Sequence, residues 1–133
     1  MAYIVLIEQD WTTQALIKAQ LEEEGNEVLA VEGLGEARAL LRRPRPDLII
    51  LDTIGQGCSK QNLDDLRQAA GGVPIVLCTG PYDRARLDLE ARDFAALLIR
   101  PFTIGELAER VQEVLRGGAG LNPRADDKRS RSL

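Results

Sequence analysis

The chain contains five short runs of apolar residues, separated by segments in which apolar residues recur with the period of a helix. Short apolar runs without polar alternation are typical of strands that are buried on both faces of a parallel sheet. The runs predict strands at residues 2–7, 27–31, 48–51, 73–78 and 96–99, and the third strand ends at Asp52. The segments between these strands predict helices.

The first helix is predicted over residues 12–24, where Thr13, Ile17 and Leu21 lie four residues apart and Leu16 lies beside them. This spacing places one apolar stripe on one side of a helix, and we expect the stripe to face the core. Weaker helical patterns cover residues 34–41, 63–70 and 84–90.

The last helix has the clearest pattern along the chain. Its apolar residues recur at intervals of three and four: Ile104, Leu107, Ala108, Val111 and Leu115. Thr103 and Glu106 have the spacing of a capping box, in which each side chain accepts a hydrogen bond from the backbone N–H of the other residue. We therefore expect this helix to begin directly after Thr103.

Strands that alternate with helices predict an α/β fold, a doubly wound five-stranded parallel sheet with helices on both faces. Right-handed crossovers leave few topologies, and the flavodoxin-like order 2-1-3-4-5 is common at this size. We expect residues 1–116 to form this domain and residues 117–133 to be a disordered basic tail or a linker stub. In this strand order, a crevice opens at the C-terminal ends of strands 1 and 3.

Charge and composition exclude several classes of function. Residues 117–133 carry four basic and two acidic groups, so the first 116 residues carry 13 basic and 19 acidic groups, a net charge of −6. An acidic domain argues against direct binding of nucleic acid. No apolar run is long enough for a membrane-spanning helix. The chain also has no histidine, which excludes histidine-dependent catalysis and histidine-ligated metals. We expect a cytoplasmic, non-enzymatic protein that does not contact a membrane.

Polar and charged residues follow the strands at the predicted crevice. Glu8, Gln9 and Asp10 follow the first strand, and Asp52 ends the third. Carboxylates that lie this close repel one another unless a cation separates them, and Mg²⁺ prefers such oxygen ligands. The ends of the fourth and fifth strands add a hydroxyl group, from Thr79, and a cation, from Arg100.

Four stretches carry a resemblance to a known family. They are residues 3–10 (YIVLIEQD), 46–52 (PDLIILD), 73–80 (VPIVLCTG) and 99–103 (IRPFT). In this order and spacing, residues 2–116 resemble the receiver domain of bacterial two-component response regulators. The resemblance implies that Asp52 accepts a phosphoryl group from a partner sensor histidine kinase or phosphotransfer protein. It also implies that Thr79 is the switch hydroxyl, that Gly80 is the small residue beside it, and that Arg100–Pro101 matches a Lys-Pro pair whose peptide bond is commonly cis.

The sequence departs from the family pattern at the predicted metal site. Glu8 and Gln9 fall on the family's acidic pair, so the implied Mg²⁺ site is formed by Glu8, Gln9 and Asp52 and lacks one negative charge. Asp10 could replace the missing ligand, although an N-cap of the first helix is the simpler role for it.

A second departure concerns the family's lysine, which Arg100 replaces. Because a guanidinium can contact a carboxylate at both oxygens, Arg100 could pair with Asp52 without any phosphoryl group. The family's aromatic switch position falls on Leu97, and we expect Leu97 and Trp11 to be packing residues.

Two hypotheses follow. In the first, modification of Asp52 switches a surface formed by the helix at residues 84–90, the fifth strand and the last helix, where a downstream protein or a second copy of the chain binds. In the second, the chain is a pseudo-receiver, a docking module that is not phosphorylated, in which an Asp52–Arg100 ion pair fills the pocket. A flavodoxin-like enzyme or cofactor carrier is disfavoured, since the chain has no glycine-rich phosphate loop and no GxSxG motif.

Overall fold

A computed structural model describes residues 1–42, 44–54, 59–80 and 94–117 of the chain. Its five strands form one parallel sheet in the order β2-β1-β3-β4-β5. The strands are β1 (Tyr3–Ile7), β2 (Glu27–Val31), β3 (Leu48–Asp52), β4 (Ile75–Thr79) and β5 (Ala96–Ile99). The predicted fold class and strand order are confirmed.

Four helices lie among the described residues. They are α1 (Trp11–Glu23), α2 (Leu34–Leu40), α3 (Lys60–Ala70) and the C-terminal helix (Ile104–Gly117). The helix predicted at residues 84–90 and the tail from residue 118 onward lie outside the described residues. Within the described part of the chain, no helix is long and apolar enough to cross a membrane.

The core has two halves, one on each face of the sheet. On one face, Ile17 of α1 and Val111 of the C-terminal helix belong to a buried cluster with alternate residues of β1 and β3 such as Ile4. On the other face, Ala37 of α2 and Leu66 of α3 belong to a second cluster with the intervening strand residues. Successive side chains of a strand point to opposite faces of the sheet, and here both faces are covered. Residues at both sets of positions are therefore apolar, which explains the continuous apolar runs in the sequence.

The C-terminal helix begins at the capping box predicted from the sequence, whereas helix α3 begins earlier than predicted. The Thr103 hydroxyl accepts a hydrogen bond from the Glu106 N–H at 2.9 Å, and the Glu106 carboxylate accepts one from the Thr103 N–H at 2.8 Å, so the predicted capping box is confirmed. Helix α3 begins at Lys60 and is capped by Ser59, three residues before the predicted start. Its first turn is polar and lacks the apolar spacing on which the prediction rested.

Helix α1 corrects two expectations about its faces. Ile17 and Leu21 are buried as predicted, whereas Leu16 is 55% exposed and Trp11 is 76% exposed. Trp11 is therefore not a packing residue. The helix carries apolar side chains on both its buried and its exposed sides, so the spacing alone does not distinguish them.

The contrast between Ile17 and Leu16 predicts a difference in stability. Replacing Ile17 with alanine should lower the free energy of unfolding by about 2–3 kcal/mol, because it leaves a cavity in the core. The same change at Leu16 should stay within about 0.5 kcal/mol, as at other exposed positions. Urea denaturation of both variants measures the difference, and equal losses would mean that α1 is rotated about its axis.

Candidate functional site

Four polar residues lie at the C-terminal edge of the sheet. Glu8 follows β1, Asp52 ends β3, Thr79 ends β4 and Arg100 follows β5. Glu8, Asp52 and Thr79 are buried, while the Arg100 side chain is 28% exposed. The crevice predicted from the strand order therefore brings Glu8, Asp52 and Arg100 together, with one cation between two carboxyl groups. The Thr79 side chain lies at the same edge and contacts Thr53 instead.

Asp52 is bound at both carboxylate oxygens. Its Oδ1 accepts a hydrogen bond from the backbone N–H of Ile54 at 2.9 Å and one from Nη1 of Arg100 at 3.3 Å. Nη2 of the same guanidinium donates to Oδ2. Such two-point pairing of a guanidinium with a carboxylate is both directional and strong. The Asp52–Arg100 pair anticipated from the sequence is present.

Arg100 is positioned by its surroundings. Its backbone N–H donates to the Thr79 carbonyl oxygen at 2.9 Å, and its guanidinium lies over the ring of Phe102, 5.3 Å from the ring centre. Nη2 also lies 3.9 Å from Oε1 of Glu8. The Arg100–Pro101 peptide bond is cis, as the resemblance implies. The cation is therefore held between the two carboxyl groups by the strand and the aromatic ring.

The three residues after β1 divide into different roles. Glu8 turns inward, and its Oε2 accepts a hydrogen bond from the Asp10 N–H at 3.0 Å. Gln9 is exposed. Asp10 caps α1, because its Oδ2 accepts hydrogen bonds from the hydroxyl and the backbone N–H of Thr13. These bonds lower the pKa of Asp10. The simpler role expected for Asp10, the N-cap, is confirmed.

Glu8 is an acid in an unfavourable environment. Burial raises its pKa from an ordinary 4.5 to about 8, and the hydrogen bond and negative charge of the neighbouring Asp52 act in the same direction. Oε1 of Glu8 is buried and accepts no hydrogen bond from the described residues. The raised pKa favours the protonated form of Glu8, which reduces the negative charge opposite Arg100.

This donor set does not fit Mg²⁺ in the observed arrangement. The proposed ligand Gln9 is exposed, and the guanidinium of Arg100 already contacts both oxygens of Asp52. In the part of the chain that the structure describes, no cluster of three acidic, cysteine or histidine side chains could hold a metal ion. Mg²⁺ prefers several oxygen ligands in octahedral geometry, so binding at Glu8, Gln9 and Asp52 would require Arg100 to move. The metal site stays a prediction.

Thr79 lies at the end of β4 as predicted, and it is fully buried. Its hydroxyl accepts a hydrogen bond from the hydroxyl of Thr53 at 3.0 Å. The next residue, Gly80, leaves a space that the side chain of Ile54 borders. Leu97 packs against the core on the α2–α3 face, so its predicted packing role is confirmed.

Three residues of the site were missed by the sequence analysis: Thr53, Ile54 and Phe102. The first two contact the end of β4, and their role depends on the register of β3 against β4, which no local pattern reveals. Phe102 had a usable signal, because an aromatic ring two residues from an arginine can stack on its guanidinium.

Comparison with known proteins agrees with this geometry, although no family model matches the chain. The KDP operon transcriptional regulatory protein KdpE of Escherichia coli is 31% identical over 121 residues, which cover 87% of this chain and 52% of that protein. The DNA-binding response regulator MtrA of Mycolicibacterium paratuberculosis is 28% identical over 114 residues, which cover 85% of this chain and 51% of MtrA. The chain thus spans about half the length of these relatives.

A solved structure matches the chain over nearly its whole length. The signal receiver domain of a signal transduction histidine kinase from Syntrophus aciditrophicus is 28% identical, with a TM-score of 0.72, and the match covers 92% of this chain and 96% of that domain. The five-stranded fold agrees with this match. The chain is similar, in sequence and in fold, to the receiver domains of two-component response regulators.

Proposed function

We propose that Asp52 is the phosphoacceptor of this receiver domain and that a partner histidine kinase or phosphotransfer protein supplies the phosphoryl group. The observation that carries this proposal is the position of Asp52, which ends β3 at the crevice with its carboxylate facing Arg100. Phosphoryl transfer depends mainly on positioning and on neutralisation of charge, and Arg100 supplies a positive charge at that position. The role is one of signalling rather than enzymatic output. The sequence has no histidine, so the phosphoryl group would come from a histidine outside it.

A second candidate function is a docking module that works without phosphate. Arg100 binding to both oxygens of Asp52 favours it, because the aspartate is then already neutralised. The exposed Gln9 favours it too, since the site lacks the usual acidic ligand. In both candidates, a downstream protein or a second copy of the chain would bind the face that contains β5 and the C-terminal helix. The helix expected to complete that face lies outside the described residues.

In this proposal, the relatives bind nucleic acid through the part of their chains that this chain does not match. MtrA is named a DNA-binding regulator, and about half of it lies beyond the match. The domain described here has an acidic balance of charges, which opposes contact with a polyanion. That this chain itself does not bind nucleic acid stays a prediction, as does its cytoplasmic location.

Treatment with a small-molecule phosphodonor and Mg²⁺ should add one phosphoryl group to the wild-type chain, measured by intact mass. Asp52→Asn should remain unmodified, because the amide cannot form an acyl phosphate. Asp47→Asn is a matched control, since Asp47 is exposed at the opposite end of β3, and it should be modified like the wild type. Modification that survives Asp52→Asn would contradict the assignment.

The melting temperature separates the two candidate functions. A receiver that takes phosphate with Mg²⁺ should melt at a higher temperature when Mg²⁺ is added, because a ligand that binds only the folded state stabilises it. The docking module should show no such change. No phosphorylation by any donor, together with no effect of Mg²⁺, would favour the docking module.

A further inference from the structure

The chain does not leave the sheet directly after Asp52. The backbone N–H of Thr53 donates to the Cys78 carbonyl oxygen at 2.9 Å, so the pairing with β4 continues for one residue beyond β3. Thr53 is buried, and its hydroxyl donates to the Thr79 hydroxyl at 3.0 Å. Both hydroxyl groups are buried, so water does not compete for this hydrogen bond.

The next residue makes a second contact with the same segment of β4. The Ile54 N–H donates to Oδ1 of Asp52, while the Ile54 side chain lies over Gly80, where an added Cβ would sit 3.5 Å from Cδ1 of the isoleucine. The Thr53 hydroxyl therefore contacts Thr79, and the Ile54 side chain borders the space beside Gly80. The Ile54 N–H links the same segment to the carboxylate of Asp52.

The register places the two hydroxyls on a different side of the sheet from Asp52. Asp52 lies opposite Cys78, one residue before Thr79. Because successive side chains of a strand point to opposite faces, Thr53 and Thr79 share the face that Asp52 does not occupy. A buried hydroxyl that loses its partner incurs a free-energy cost, so Thr53 favours the conformation in which Thr79 stays on that face.

We propose that Thr53 is a positioning residue that holds the Thr79 hydroxyl away from Asp52 and thereby sets how readily Thr79 turns toward a modified Asp52. The inference rests on the proposed function for the phosphorylation of Asp52 and on the family resemblance for the switch role of Thr79, but the contact itself is independent of both. Loss of one buried hydrogen bond between neutral groups corresponds to roughly a fivefold change in a conformational equilibrium. Thr53 thus opposes switching without touching the phosphoryl site.

The test compares Thr53→Val, which keeps the shape and removes the hydroxyl, with Thr53→Ser, which keeps the hydroxyl. The first readout is the side-chain conformation of Thr79, followed by the three-bond NMR couplings to its methyl carbon in the unmodified protein. We expect one conformation in the wild type and in Thr53→Ser. In Thr53→Val, we expect couplings averaged over two conformations. Unchanged couplings in a folded Thr53→Val protein would overturn the proposal.

The second readout is the lifetime of the phosphoryl group after treatment with a small-molecule phosphodonor and Mg²⁺. A released Thr79 hydroxyl should change this lifetime by roughly fivefold in Thr53→Val and leave it unchanged in Thr53→Ser. Averaged couplings with an unchanged lifetime would overturn the effect of Thr53 on switching. If the wild type takes no phosphoryl group, the proposed function fails, and the couplings alone decide whether Thr53 holds Thr79.

Discussion

Arg100→Ala is expected to lower the free energy of unfolding by about 3 kcal/mol at neutral pH. The change leaves the buried carboxylate of Asp52 without the guanidinium that binds both of its oxygens. Removing one partner of a buried ion pair costs about 3–5 kcal/mol, because the remaining charge has neither water nor a counter-ion. Loss of the contact with Phe102 adds to this cost. Urea denaturation, with the midpoint and slope both fitted, measures the effect.

Two further arginine variants serve as controls for this prediction. Arg100→Lys keeps the positive charge but cannot bind two oxygens in the same planar manner, so we expect a loss smaller than that of Arg100→Ala. Arg116→Ala removes an exposed arginine from the C-terminal helix and should change the free energy of unfolding by less than about 0.5 kcal/mol. If Arg100→Ala were no less stable than Arg116→Ala, Arg100 would not be holding Asp52.

The raised pKa of Glu8 is expected to make the protein less stable as the pH rises. Between pH 4.5, the ordinary pKa of the group, and about pH 8, its pKa in the folded state, the native protein keeps a proton that the unfolded chain has released. The free energy of unfolding therefore falls across this window, by up to about 1.4 kcal/mol per pH unit from this group. Below the window, both states are protonated and no loss occurs. Above it, the loss is complete.

Glu8→Gln removes this titration while keeping an oxygen that can accept the hydrogen bond from Asp10. We expect the variant to be about as stable as the wild type at pH 5 and more stable by several kcal/mol at pH 9. Denaturation curves recorded across this range test both proteins. The same downward slope in Glu8→Gln would show that another group causes the pH dependence.

Much of the fold could be predicted from the sequence because the strands are covered on both faces. A run such as that in β3 is apolar throughout, and a chain that alternates such runs with helices has few topologies open to it. The buried face of helix α1 was harder to predict, because apolar residues lie on both sides of the helix. Trp11 and Leu16 are exposed, whereas Ile17 is buried. Periodicity identifies a helix but does not identify its buried face when both sides are apolar.

The part of the site formed by charged residues at the ends of strands could be predicted from the sequence. Asp52 ends β3 and Arg100 follows β5 at the same edge of the sheet, and the geometry of a guanidinium suggested that they pair. The contacts of Thr53 with Thr79 were not predictable, since they depend on which residues of β3 and β4 lie side by side. The raised pKa of Glu8 was predictable in part, because the sequence placed Glu8 near Asp52, but its largest cause, the burial of Glu8, is not visible in the sequence.

The charges of the site are consistent as a set. Gln9 is uncharged, burial raises the pKa of Glu8, and Arg100 contacts both oxygens of Asp52. The pair of Asp52 and Arg100 is therefore the main charge-balancing contact among the described residues of the site.

A double-mutant cycle of Asp52→Asn and Arg100→Ala tests this pair most directly. The free energies of unfolding of the wild type, both single variants and the double variant give the coupling between the two side chains. We expect a coupling of at least about 2 kcal/mol, so that the double variant loses less stability than the sum of the single losses. Losses that add to within about 0.5 kcal/mol would contradict the pairing of Arg100 with Asp52.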